Sequence, residues 1–330
     1  MRIVITGGAG FLGRKLARAI LDRGRMTDAD GTIRDVESIV LVDIATAQGI
    51  GDDRISTVAG DLADDSVIAG VFGQPVHSVF HLAAVVSGEA EQDFDLGWRV
   101  NVDATRAWLE ACRRRASRPK FVFTSSVAVF GGELPESVPD DQQLTPQSSY
   151  GAQKAVGEML VHDYTRKGFI DGRSLRLPTV SVRPGKPNKA ASSFASGIVR
   201  EPLNGVDAIC PVAANTRMWL TSPKSVIENL IAGQEAPSSS FAHARVVNVP
   251  GISVEVGEIV AALERVAGPD VAARVSWQVD AAIDRIVATW PRNFDARLGR
   301  TLGMRSDADF DAIIRQYIAD ELGPSSATAR

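Results

Sequence analysis

What this chain has little of narrows it first. Cysteine occurs only twice, as Cys112 and Cys210, far apart and without metal-ligand spacing. That excludes a disulfide framework or a zinc site and suits a reducing compartment. The four histidines, His77, His81, His162 and His243, show no ligand spacing either, so structural roles and no metal are expected. No apolar run reaches the length that spans a bilayer, and no secretory leader pattern precedes the first strand. No membrane partner and a cytoplasmic location are therefore expected. Charge of one sign is scarce as well, with a net charge of −4. The one basic cluster, between Arg113 and Lys120, falls at a predicted helix end, where cations suit the helix dipole, so nucleic acid is not expected as a partner. Neither internal repeats nor low-complexity segments occur. What remains is an ordinary globular composition, 45% hydrophobic and 23% charged, over 330 residues, enough for a large core and two lobes.

The first thirteen residues organise the rest. Arg2 to Ile5 is a β-branched run that predicts a buried parallel strand, and apolar residues at three- and four-residue steps predict a helix from about Phe11. Between them lie Gly7, Gly10 and Gly13. Side chains at the first two would hold a diphosphate off the backbone amides, and one at the third would push the helix off the strand. A strand–glycine turn–helix unit presents free amides and a positive helix end, which points to a dinucleotide. Further strands are predicted at Ser38–Asp43, Arg54–Val58, Val76–Phe80, Phe121–Ser126 and Ser174–Leu177, with long helices over Trp98–Arg115 and Tyr150–Lys167. The alternation predicts an α/β fold, a doubly wound parallel sheet over residues 1–177. From Pro178 prolines break the pattern, predicting a smaller α+β lobe over 178–330, interrupted by a strand returning to the sheet near Arg245–Val249. Helices are expected over Ile252–Ala267 and Asp307–Leu322. Asp22–Glu37 is expected as a surface insertion without periodicity, and Ser87–Asp93 as an acidic loop. Asp43, at the tip of the second long strand, suits hydrogen bonds to adenosine ribose hydroxyls and would repel a 2′-phosphate, which favours NAD over NADP.

Chemistry enters with Thr124-Ser125-Ser126 at a strand end and, twenty-four residues beyond Ser126, Tyr150-Gly-Ala-Gln-Lys154. The i, i+4 spacing puts Tyr150 and Lys154 on one helix face. A phenol is a weak base at neutral pH, and a nearby ammonium together with a positive nicotinamide is expected to bring it toward working pH. Ser126 would hold a substrate oxygen beside it.

These motifs, with His81-Leu-Ala-Ala84, Asn101-Val-Asp-Ala-Thr105 and Ser125-Ser126-x-x-Val-Phe-Gly131, resemble those of the extended short-chain dehydrogenase/reductase family over nearly the whole chain. The resemblance implies a Rossmann domain for NAD(P), a substrate lobe and a Ser126, Tyr150 and Lys154 catalytic group. Gly7, Gly10, Phe11, Leu12, Gly13, Asp43, Asp61, Leu62 and Ala83 would line the adenosine and diphosphate. Asn101 and Ser125 count among the cofactor contacts, with Tyr150 and Lys154, and Pro178 and Val180 would pack near the nicotinamide. It also implies a homodimer through the two long helices, with Trp108, Val156 and Leu160 as interface candidates. Departures weigh against a nucleotide-sugar substrate: Arg217-Met-Trp-Leu-Thr-Ser-Pro223 keeps the arginine of the family's substrate segment but not its His and acids, and Phe130 stands where a Tyr is usual. The Leu175–Phe194 and Ser87–Asn101 segments instead look like the D-erythronate dehydrogenase branch, which implies NAD-dependent oxidation of a four-carbon sugar acid to its 2-oxo acid. Such a substrate needs a cation and polar partners, for which Ser87, Arg183, Asn188, Ser192, Arg217 and Arg292 are candidates beside Ser126 and Tyr150. A nucleotide-sugar 4-epimerase and a catalytically silent NAD-binding regulator stand as alternatives.

Overall fold

The central β-branched runs form strands because helices cover both their faces, whereas the run Ile55–Ala59 pairs at the sheet edge and stays largely exposed. The computed structural model describes every residue except 116, 187–190, 242 and 324–330. The first part of the chain forms β1 (Arg2–Thr6), α1 (Phe11–Arg23), β2 (Arg25–Thr27), β3 (Ile33–Asp35), β4 (Ser38–Asp43) and β5 (Ile55–Ala59). It continues through α2 (Asp65–Val71), β6 (Ser78–His81), α3 (Ser87–Gln92), α4 (Phe94–Trp98) and α5 (Ala104–Arg115), then β7 (Lys120–Ser126), α6 (Ser149–Arg166) and β8 (Asp171–Leu177). The later part holds β9 (Thr179–Val180), α7 (Phe194–Leu203), β10 (Ala208–Cys210), β11 (Arg217–Thr221) and α8 (Pro223–Glu235). Then come β12 (Val246–Asn248), β13 (Ile252–Glu255), α9 (Val256–Ala267), α10 (Pro269–Ala272), β14 (Val275–Trp277), α11 (Ala281–Ala288), α12 (Arg297–Thr301) and α13 (Phe310–Tyr317).

Seven parallel strands lie in the order β12-β8-β7-β6-β1-β4-β5. Successive residues point to opposite faces. Thus Ile3, Ile5, Ile39 and Leu41 pack on α1 and α8, through Leu16, Ile20, Val226 and Leu230. Val4, Val40, Val42 and Phe121 pack on α2, α5 and α6, through Ile68, Trp108, Leu109 and Val161. The strand order reverses beside β1, where such sheets open a crevice at their carboxyl ends. A second core, from Val182 to Tyr317, gathers α7, α9 and α13 around β11 and β13. Among the described residues no helix is long and apolar enough to cross a membrane.

At Gly13 a Cβ would stand 2.3 Å from the Gly7 carbonyl oxygen, so α1 can meet the β1 turn only if this position is bare. Gly13→Ala should cost about 1–3 kcal/mol, read as a lowered thermal midpoint.

Several local expectations are corrected. Asp22–Glu37 is not unstructured: β2 and β3 form an antiparallel hairpin. Its Asp28 carboxylate accepts the Asp30 and Thr32 amides, and Thr27 donates to Glu235 at the end of α8. Ser87–Asp93 is mostly helix rather than loop, as α3. The Trp98–Arg115 helix is interrupted by a π turn at Arg99–Asp103. Ile252–Ala267 begins as β13, because Ile252 and Val254 alternate in register with β11, and turns helical only at Val256. The last helix starts at Phe310, where the Asp309 carboxylate caps the Ala312 amide, while Asp307 instead accepts from Ser222 and Ser225. Trp108 is no interface residue. Its ring is fully buried and its indole N–H donates to the Leu62 carbonyl at 3.0 Å.

Candidate active site

The carboxyl ends of the central strands open into one cleft of about 970 Å³. At its β1 end Gly7 takes a φ of +71°, and a Cβ there would lie 2.9 Å from the Ala83 amide nitrogen. A Cβ on Gly10 would lie 3.2 Å from the Gly7 oxygen. No side chain caps α1, so its first amides face the cleft free for an anion. Phe11, Leu12, Leu62 and Ala83 line the walls. Asp43 closes the end of β4, one carboxylate oxygen accepting the Ala9 amide at 3.0 Å, which fixes it against the glycine turn. Asp61 accepts the Ala63 amide and pairs with Arg99; these two contacts hold its carboxyl below the ordinary range. A cradle that Cβ atoms would fill, open helix amides and an acid at the tip of β4 together fit an adenine dinucleotide.

The other end is built by β7 and α6. Gly151 brings them together, since a Cβ there would stand 2.1 Å from the Ala128 oxygen. Ser126, the last residue of β7, accepts the Ala128 amide at 3.1 Å and is hydrogen-bonded to the Tyr150 phenol. Lys154 is buried one turn on, its ammonium donating to the Thr124 carbonyl at 2.8 Å and lying 5.7 Å from the centre of the Tyr150 ring. Burial pushes the Tyr150 phenol up to about 12, against the pull of Ser126 and Arg183. The expectation that the neighbouring ammonium lowers the phenol is thus corrected for the chain by itself: the ammonium is turned toward a backbone carbonyl and a ring face. Burial also brings Lys154 down to about 7, with Glu158 opposing.

Ser125, Ser126, Tyr150, Lys154, Pro178, Val180, Ser87, Arg183 and Ser192 all line this cleft. Arg183 is half-buried; its side chain makes a long hydrogen bond to the Ser192 hydroxyl, 3.4 Å, and no ion pair with an acid occurs among the described residues. Other candidates fall elsewhere. Arg217 is exposed at the start of β11 and paired with Glu255, and Arg292 is exposed outside the cleft. Asn101 is buried behind the wall, where it accepts the Val85 amide and donates to the Val85 and Gln153 oxygens; it shapes the cleft without lining it. Asn188 lies outside the described residues. Sequence reasoning missed Glu91, Arg99, Met218, Trp219, Ile286 and Trp290, which also line the cleft. For Met218 and Trp219 a signal existed, because they follow Arg217 in the segment already singled out. His81 is locked between the Thr6 and Thr105 hydroxyls, 2.9 and 3.0 Å, and burial lowers it to about 3. No group of three metal-ligating side chains occurs among the described residues.

Known proteins resemble this chain in sequence and in fold. The NAD dependent epimerase/dehydratase family matches residues 3–220. A D-erythronate dehydrogenase of Cupriavidus necator is 54% identical over 97% of this chain and 98% of its own, and one from Haemophilus influenzae is 42% identical over 96% and 99%. A solved structure described as the nucleoside-diphosphate-sugar epimerase from Agrobacterium tumefaciens superposes with a TM-score of 0.92 at 40% identity, covering 99% of this chain and 96% of that one. A family match over residues 3–220 and relatives of this identity across almost the whole length agree with the cradle and strand-end acid: the chain belongs to the NAD-dependent epimerase/dehydratase family.

Proposed function

We propose that this chain oxidises D-erythronate at C2 to the 2-oxo acid with NAD. One observation carries the reading: Arg183, an arginine with no acidic partner among the described residues, lines the same cleft as Tyr150, a cleft that otherwise suits a dinucleotide. A carboxylate one bond from the reacting carbon answers that placement. The near-full-length likeness to two D-erythronate dehydrogenases supports it.

Gly7, Gly10, Gly13 and the α1 amides would hold the diphosphate, Asp43 the adenosine ribose, and Pro178 and Val180 the nicotinamide side. When bound, NAD⁺ supplies the hydride acceptor and a positive ring charge. The Tyr150 phenolate takes the C2 hydroxyl proton, and Ser126 donates a hydrogen bond to the same oxygen. Lys154 keeps a positive charge beside the phenolate, and Arg183 and Ser192 bind the carboxylate end. Residues 1–177 then hold most of the cofactor and present Ser126 and Tyr150. The part from 178 supplies the rest of the substrate pocket, apart from Pro178 and Val180 beside the nicotinamide and β12 and α8, which belong to the sheet and its cover. Asp43→Ala should weaken NAD binding about tenfold and relax the exclusion of NADP, measured by titration with both dinucleotides.

The solved structure described as a nucleoside-diphosphate-sugar epimerase favours a second reading, epimerisation of a nucleotide sugar. A substrate panel followed by NADH absorbance separates the two. Net NADH with D-erythronate supports the dehydrogenase, and UDP-hexose interconversion without NADH supports the epimerase. NAD binding with no turnover on either would point to a regulator. A cytoplasmic homodimer completes the proposal: Cys112 and Cys210 are free thiols, and Ala155, Val156, Met159 and Leu160 leave an apolar patch on α6.

A further inference from the structure

Tyr150, Lys154 and Glu158 succeed one another at four-residue steps along α6, so they share one face, and that face lies on β7. The third of them is buried to 2% exposure, where a carboxylate needs strong partners. It has them. Arg176 of β8 chelates both carboxylate oxygens, at 2.8 and 2.7 Å, and the Ser125 hydroxyl donates to one of them at 2.6 Å. Ser125 and Arg176 are direct partners in the β7–β8 register, so the carboxylate ties together three elements. These are the helix that carries Tyr150 and Lys154, the strand end that presents Ser126, and the strand that leads into Pro178 and Arg183. Arg176 is itself braced, its guanidinium 4.7 Å from the Phe130 ring centre.

We propose that Glu158, chelated by Arg176, is a positioning residue of the reaction: its anion keeps Lys154 as an ammonium beside Tyr150, and its hydrogen bond to Ser125 fixes the strand end bearing Ser126. The assignment rests on the Ser126, Tyr150 and Lys154 reading given above. The ionisable groups around Lys154 are Tyr150 and Glu158 on its own helix, His81 on β6, which stays neutral, and Arg176 on β8; Arg183 faces Tyr150 from beyond β9. Among them Glu158 is the anion. Losing it leaves only the Thr124 carbonyl and the Phe123 ring face to offset burial of the Lys154 charge.

The test is the titration of the Lys154 side chain, followed by NMR in the full chain labelled with ε-¹³C lysine, the resonance assigned by its loss in Lys154→Arg. In Glu158→Gln the midpoint should fall by about one pH unit. Because that variant leaves Arg176 charged and poorly paired, Glu158→Gln/Arg176→Met is measured as well and should show the same fall, while Glu158→Asp stays near the unaltered chain. The bend in the pH–rate profile of NADH formation should follow the midpoint to lower pH, with the plateau about tenfold lower. An unchanged Lys154 midpoint in both Gln variants, with only thermal stability reduced, would show a purely structural ion pair and overturn the proposal. A double variant that regains the original midpoint would also overturn it, by assigning the shift to the stranded Arg176. The titration needs no turnover, so a chain whose Lys154 behaves as expected but forms no NADH would contradict the proposed function alone.

Discussion

Tyr150→Phe should lower turnover with D-erythronate by about 10³-fold while NAD affinity stays close to that of the unaltered chain. The phenylalanine ring keeps the packing of the first turn of α6 against the β7 end and removes only the oxygen that takes the proton. The pH profile makes this sharper. The productive state carries a Tyr150 phenolate and a Lys154 ammonium together. With the phenol held near 12 and the ammonium near 7, that state gains population about tenfold per pH unit below neutrality. Above about 7 each further gain in phenolate is offset by loss of ammonium, so the rate levels off. The phenylalanine variant should lose this rise and give a low, flat profile. Steady-state rates across pH, with NAD affinity measured by calorimetry, check both halves.

Arg183→Met should reduce kcat/KM for D-erythronate by roughly 10- to 100-fold, mostly through KM, the cost of one charge-assisted contact to a carboxylate. The methionine keeps the apolar stem, and the Arg183 backbone amide still donates to the Ser196 hydroxyl at 3.0 Å, so the loop is retained. Burial beside Arg200 disfavours the lone guanidinium's charge, and an anion would relieve that cost. A neutral four-carbon polyol should therefore discriminate little between the variant and the unaltered chain. Initial rates with both substrates check this, and an unchanged KM for the acid would remove Arg183 from the carboxylate end.

Legibility in the sequence followed the range of the interactions. The glycine turn, Asp43 at the tip of β4, Ser126 at the tip of β7 and the Tyr150–Lys154 pair are local patterns, set by a strand end or by helical spacing, and the structure brings all of them into one cleft. The parallel, doubly wound character of the sheet is legible too, because alternating strands and helices allow few other arrangements, while the strand order comes from the structure. What escaped depends on partners distant in the chain. Arg217 pairs with Glu255 through the β11–β13 register, which its own segment does not announce. The β2–β3 hairpin is stabilised by Glu235 and Gln234, some two hundred residues away. For the chain without NAD the Tyr150 phenol shifts upward instead, because spacing shows that Lys154 is near but neither that the phenol is buried nor that the ammonium is turned to the Thr124 carbonyl. Trp219 and Trp290 reach the cleft only once the later lobe has folded over it.

The central claim is that hydride leaves C2 of a sugar acid. It is tested most directly with D-erythronate deuterated at C2, in the presence of NAD. The expected result is NADH that carries the deuterium, formed with a 2-oxo acid in equal amount, and a slower rate than with the protiated acid when the chemical step is isolated in a single turnover. Deuterium retained in the sugar acid, or no NADH from D-erythronate while a nucleotide sugar is epimerised, would contradict it.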